Sequence, residues 1–168
     1  MQSSERSFLW LRPRRDRSSA VPQHGPVHVP HLSAGFAVIV GLGTDIIEVV
    51  RIGEMIERHG ELFLQRVYTE QEIRYCQRKK GAMQHYAGRW AAKEAVMKTL
   101  GTGFSKGVGF KDIEVCSKKS GQPYIVLHGG AAEVAARLGI DEVLMTISHC
   151  RAYATATAVA MQRTPRPQ

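Results

Sequence analysis

A chain of 168 residues has room for one domain of ordinary size, and a hydrophobic fraction of 43% is enough to build its core. No apolar run approaches the ~20 residues that a membrane-spanning helix needs. Three cysteines, Cys76, Cys116 and Cys150, form neither a disulfide framework nor a zinc-ligand spacing, which favours a reducing, cytoplasmic location. The net charge of +8 is spread unevenly. Residues 1–36 carry +3, Arg163 and Arg166 in the tail carry +2, and the remaining body carries +3. A basic body suits an acidic partner or a phosphate-rich ligand without choosing between them.

Residues 1–36 are rich in Arg, Ser, Pro and His and lack an apolar period, so they read as a flexible basic extension. Ser7–Leu11 is too short for the apolar stretch of a secretory signal. The domain proper is expected over residues 37–162, with 163–168 as a tail. Phe36–Val40, closed by Gly41-Leu42-Gly43, has the pattern of a buried strand. Apolar residues at Val49, Ile52 and Ile56 predict a helix over 46–58. Thr69-Glu70-Gln71-Glu72 is a capping-box signature that opens a second helix reaching about Lys80. A longer helix follows from about Gln84 to Leu100, stopped by Gly101 and Gly103.

The second half has the pattern of strands. Phe110–Ser117 alternates, Gly121-Gln122-Pro123 turns, and Tyr124–Leu127 returns. A short Ala-rich helix, 131–138, ends at Gly139, and strands over 143–149 and 155–161 close the chain. Short connections favour antiparallel pairing. The expected fold is therefore α+β: one domain in which an antiparallel β-meander packs against helices.

Arg89-Trp90-Ala91-Ala92-Lys93-Glu94-Ala95-Val96-Met97-Lys98 is the most informative stretch. On a helical wheel Ala91, Ala92, Ala95 and Val96 share one arc, leaving Arg89, Lys93, Glu94, Met97 and Lys98 on an outer face. Such a face is compatible with an ordinary solvated helix carrying a Glu94–Lys98 pair. It also suits metal-assisted attack on a phosphate, which wants carboxylates for Mg²⁺ and cations for the remaining phosphate oxygens. A second carboxylate, Asp45, follows Gly41-Leu42-Gly43-Thr44. A dinucleotide-binding fingerprint would have Gly where Ile46 stands, so the glycines read instead as a tight strand exit that aims Asp45 into a cleft.

Taken in order, Gly41-Leu42-Gly43-Thr44-Asp45-Ile46, Ala87-Gly88-Arg89-Trp90-Ala91-Ala92-Lys93-Glu94-Ala95, Lys98-Thr99-Leu100-Gly101-Thr102-Gly103, Phe110–Val115, Gly121-Gln122-Pro123 and Ser148-His149 resemble the holo-[acyl-carrier-protein] synthase family. These are small single-domain transferases that form trimers with active sites at subunit interfaces. The resemblance spans about Val38 to Met161. It implies that a serine of apo acyl carrier protein attacks the β-phosphate of coenzyme A, in support of fatty acid and lipid biosynthesis. It further implies Asp45 and Glu94 as Mg²⁺ ligands, with Lys98 completing the catalytic set. Arg89, Lys93, Lys98, Gly101, Gly103 and His149 are the implied coenzyme A contacts, although Lys93 equally suits a brace for Glu94. Arg51, Met55, Arg58 and Arg66 are the candidates for docking the acidic carrier. Trp90 stands where many members have Phe.

Two other readings compete. A broad-specificity transferase for secondary-metabolism carriers would resemble two fused halves, and this chain has one motif set. A basic nucleic-acid-binding domain would interleave aromatics with Lys and Arg on strands or present a recognition helix. Here the aromatics fall mostly in helices and turns, so neither nucleic acid nor membrane is an expected partner.

Overall fold

The computed structural model describes residues 37–103 and 107–163, so the extension expected over 1–36 and the last five residues of the tail lie outside it. Strand β1 runs from Ala37 to Glu48 and helix α1 from Val49 to Val67. They are followed by α2 (Glu70–Gln77), α3 (Ala82–Leu100), a 3₁₀ turn at Phe110–Asp112 and the strands β2 (Ile113–Ser117) and β3 (Pro123–Leu127). Helix α4 (Gly129–Arg137), β4 (Glu142–His149) and β5 (Tyr153–Arg163) complete the chain. The α+β class and the antiparallel pairing are as expected, but the strands divide between two sheets. β5 lies between β1 and β4 in one sheet, and β2 pairs with β3 as a separate hairpin.

The beginning of the chain departs from the sequence expectation. β1 does not exit at its glycines: it continues straight through them, and residues 46–48 are strand rather than helix. The physical reason lies beneath the sheet. A Cβ on Gly43 would collide with the Ala95 carbonyl oxygen and come within 2.6 Å of Thr99 Oγ1, and one on Gly41 would meet Thr99. The strand thus lies directly on the backbone of α3. Ala154, Ala156, Ala158 and Ala160 of β5 are buried, and Gly43 faces Ala158 across the sheet. Small side chains from both layers let helix and sheet approach closely.

α1 is one helix only in outline, because Gly60 breaks it with φ 56° and ψ −136°, a backbone conformation open to glycine. The capping box at α2 is present as expected: Thr69 Oγ1 accepts from Glu72 N–H at 3.3 Å, and Thr69 N–H donates to Glu72 Oε2 at 2.8 Å. α3 is the central helix and is buried on nearly every side. Arg89, Lys93 and Met97, expected on its outer face, are buried, because α2 and β2 cover the arc opposite the sheet. Gly101 closes α3 at φ 67°, and Thr102 N–H reaches back to Met97 O.

The opposite face of the β1–β5–β4 sheet is apolar and open. The Leu42–Val159–Leu144 row crosses all three strands, and Leu42 and Ile46 are 69% and 67% exposed. Val38, Ile39 and Val40, expected in a buried strand, are likewise exposed. Gly43→Ala should destabilise the domain by about 3 kcal/mol, because backbone must move to admit the methyl group. Gly53→Ala, whose Cβ meets nothing within 4 Å, should be neutral or stabilising by about 0.5–1 kcal/mol. Thermal denaturation of the two variants beside the wild type measures this contrast.

Candidate functional site

Asp45 lies two residues beyond Gly43 on the same face of β1, so the seam that brings strand and helix together also turns this carboxylate toward α3. Lys98 Nζ donates to Asp45 Oδ1 and to the Thr44 carbonyl, both at 2.8 Å. The Lys98 side chain remains 49% exposed. Glu94, one helical turn before Lys98, opens into the same cleft as Asp45. Its carboxyl is held above the ordinary range by burial and by the charge of Asp45, while Lys98 pulls it back. Arg51, Ile52, Met55 and Trp90 also line this cleft of about 320 Å³. Two ionisable carboxylates that crowd one another beside a partly exposed cation suit a hard divalent ion such as Mg²⁺. That ion takes one or two carboxylates and fills its shell with phosphate oxygens and water.

The four residues expected to dock a carrier divide between this cleft and an adjoining groove. Arg51 and Met55 line the cleft, and Met55, Arg58 and Arg66 line the groove with His59, Leu62 and Phe63. All three arginines are exposed.

The expected phosphate contacts do not gather in one place. Arg89 and His149 meet in a second cleft, under the β4 edge of the sheet, whereas Asp45 lies under the β1 edge. Tyr75, His85, Gly88 and Ile147 line that second cleft too. The Arg89 guanidinium lies 3.9 Å above the Tyr75 ring, and His85 stands edge-on to His149 at 5.2 Å. Arg89 is only 4% exposed, its Nε has no hydrogen-bond partner, and no described carboxylate pairs with it. A buried cation without a counter-charge is costly unless a ligand supplies the anion. Burial lowers the pKa of His85, and the charges of His149, Arg89 and Lys79 lower it further, as expected for a positively charged recess.

Lys93 does not stand where the expected coenzyme A contact would be, which leaves the other expectation, a brace for Glu94. Its side chain has no solvent exposure, and its ammonium is spent on Glu72 and two backbone carbonyls. It contacts neither cleft. Gly101 and Gly103 have positive φ, and nothing lies within 4 Å of where their Cβ atoms would be, so backbone conformation rather than close packing explains both. The sequence reading missed Tyr75 and His85, whose only signal was the one-turn spacing of His85 and Arg89. It also missed the wall formed by Trp90, Phe110 and Phe63, with ring centroids 4.4 and 5.9 Å apart.

Residues 41–158 match the model of the 4′-phosphopantetheinyl transferase superfamily. The chain belongs to this family. A holo-[acyl-carrier-protein] synthase of Koribacter versatilis is 48% identical over 122 residues, covering 73% of this chain and 98% of the relative. The synthase of Chlamydia pneumoniae is 48% identical over 123 residues, again 73% and 98%. Among solved structures, the Bacillus anthracis synthase in complex with CoA (3′,5′-ADP) superposes with a TM-score of 0.62 at 36% identity. That match covers 74% of this chain and 97% of the other. The Plasmodium yoelii synthase with ADP bound gives 0.69 at 31% identity, covering 77% and 100%. The phosphopantetheinyl transferase match thus takes in both clefts.

Arg89→Met should leave the melting temperature unchanged or higher, since it removes a buried charge with an orphaned donor. Melting curves of the variant beside the wild type check this expectation.

Proposed function

We propose that this protein transfers the 4′-phosphopantetheine group from coenzyme A to a serine of apo acyl carrier protein, yielding the holo carrier and adenosine 3′,5′-bisphosphate for fatty acid biosynthesis. The observation that carries this reading is the convergence of Asp45, Glu94 and Lys98 on one open cleft, within a family whose curated relatives are holo-[acyl-carrier-protein] synthases. Asp45 and Glu94 hold a Mg²⁺ ion in this reading. When bound, that ion supplies positive charge to the pyrophosphate and eases departure of the leaving phosphate.

Lys98 neutralises phosphate oxygens from the exposed end of its side chain. The serine oxygen forms a bond to the β-phosphorus as the bond from that phosphorus to the bridging oxygen breaks. The adenosine bisphosphate leaves with the electron pair, and the serine proton passes to the Glu94 carboxylate, directly or through a water. Arg89 and His149 receive an anionic group of the nucleotide, while Gly101 and Gly103 offer exposed backbone beside Lys98. Arg51, Met55, Arg58 and Arg66 meet the acidic carrier, acting on association rate and salt dependence more than on affinity.

The two clefts lie under opposite edges of one sheet, so a single ligand reaches both most simply across a contact between copies. The open Leu42–Val159–Leu144 face supports the same conclusion, because an apolar surface of this kind marks an association site. Both features support association between copies, and the number of three with shared sites is what the family resemblance implies. The free thiols of Cys76, Cys116 and Cys150, with no described helix long and apolar enough to cross a membrane, fit a cytoplasmic protein.

Asp45→Ala and Glu94→Ala should each lower transfer to apo carrier by about 10²-fold or more while the fold persists. Near-normal turnover in either variant contradicts the metal assignment. Mixing Asp45→Ala subunits with subunits carrying Arg89→Met and His149→Ala should restore turnover that neither preparation has alone. No gain after subunit exchange contradicts the shared site.

A further inference from the structure

Lys93 adjoins the metal-binding Glu94 in sequence but faces the opposite way. Its ammonium makes three bonds: to Glu72 Oε2 at 2.8 Å, the Ile113 carbonyl at 2.6 Å and the Phe110 carbonyl at 3.0 Å. These use all three of its donors. Glu72 is equally engaged, accepting Thr69 N–H on Oε2 at 2.8 Å and Val115 N–H on Oε1 at 3.1 Å. Both side chains are fully buried. One ion pair therefore ties α3 to the start of α2, to the 3₁₀ turn and to β2.

Two consequences converge on the cleft. Successive helical residues are about 100° apart, so anchoring Lys93 inward sets the azimuth of Glu94. The Phe110 carbonyl is one of the acceptors of Lys93, and the Phe110 ring packs on Trp90, the wall of the cleft one turn before Glu94. The carboxylate and the wall beside it are thus held by one buried ammonium. A fully satisfied buried pair gives little net stability against an apolar replacement, but it defines geometry.

We propose that Lys93 is a positioning residue for the metal-binding carboxylate Glu94, acting through its buried pair with Glu72 and touching neither coenzyme A nor the ion. This inference rests on the proposed transferase reading, and its test separates the two. Mn²⁺ serves as the probe, titrated by electron paramagnetic resonance into wild-type protein, Lys93→Met and Lys93→Gln, below each melting temperature. Steady-state transfer from coenzyme A to apo carrier is measured on the same samples.

Lys93→Met should bind Mn²⁺ about 10-fold more weakly and lose kcat to a similar extent, with KM for coenzyme A within about 2-fold of wild type. Lys93→Gln, which keeps an N–H donor for the two carbonyls, should fall between them. It also carries the comparison if Lys93→Met does not fold. A lower melting temperature with unchanged Mn²⁺ affinity and kcat would make Lys93 a purely structural pin and overturn the proposal. A KM for coenzyme A raised about 10-fold at unchanged kcat would make it a substrate contact and overturn it equally. If wild-type protein binds Mn²⁺ but transfers nothing, the transferase reading fails, and the ratio of Mn²⁺ affinities alone decides the role of Lys93. Wild-type protein that binds no Mn²⁺ refutes both.

Discussion

Strand β1 crosses helix α3 with no side chain of its own at Gly41 and Gly43, and the site depends on that contact. Gly41 and Gly43 lie against the backbone of Ala95 and Thr99, where any Cβ would collide. Thr99 reinforces the seam by donating its hydroxyl to the carbonyls of Ala95 at 2.8 Å and Ala158 at 3.3 Å. Asp45 is two residues further along the strand and Lys98 is next to Thr99, so the 2.8 Å ion pair between them forms where the layers are closest. The glycine motif reads in sequence as a tight strand exit, but it works by bringing a carboxylate of one layer to a carboxylate and an ammonium of the other.

The opposite arc of α3 needs a different device, because there the helix meets α2 and β2 through charged side chains. The Lys93–Glu72 pair is satisfied at every donor and by backbone N–H groups at both carboxylate oxygens. Its network reaches the surface through Thr69, whose hydroxyl donates to Glu114, which in turn meets His128 at 3.1 Å. Burial pushes Glu114 up, but the Thr69 and His128 contacts outweigh it and hold the carboxyl below its usual range. Helix α3 is thus fixed on one side by atomic closeness and on the other by directional bonds. That combination leaves Glu94 half-buried and Lys98 exposed beside Asp45.

What the sequence reveals follows from this arrangement. Local rules read well: the Thr69–Glu72 capping box, the Gly101 stop and the alternation in β2 each depend on neighbours a few residues apart. Asp45, Glu94 and Lys98 stand out because metal-assisted attack on a phosphate calls for their residue types, and the fold brings the three together. α3 was misread as half-exposed because a helix buried all round has no polar face for periodicity to detect, and its buried Arg89 and Lys93 look like surface cations. β1 was cut short because Gly41 and Gly43 normally signal a turn, and only α3 beneath them explains their place in mid-strand. The exposure of Ile39 and Leu42 is likewise illegible in one chain, since apolar residues read as core whether a helix or another copy covers them.

The Asp45 cleft and the Arg89–His149 cleft lie under opposite edges of one sheet, and the proposed reaction uses the first as its reacting half and the second as its anion-receiving half. The central claim is that these halves act together on coenzyme A and a carrier serine. Its most direct test is the intact mass of an apo acyl carrier protein after incubation with this protein, coenzyme A and Mg²⁺, beside a sample containing EDTA. The account predicts a gain of one phosphopantetheine group that EDTA prevents. No gain on any of several apo carriers, or a gain indifferent to EDTA, would contradict it.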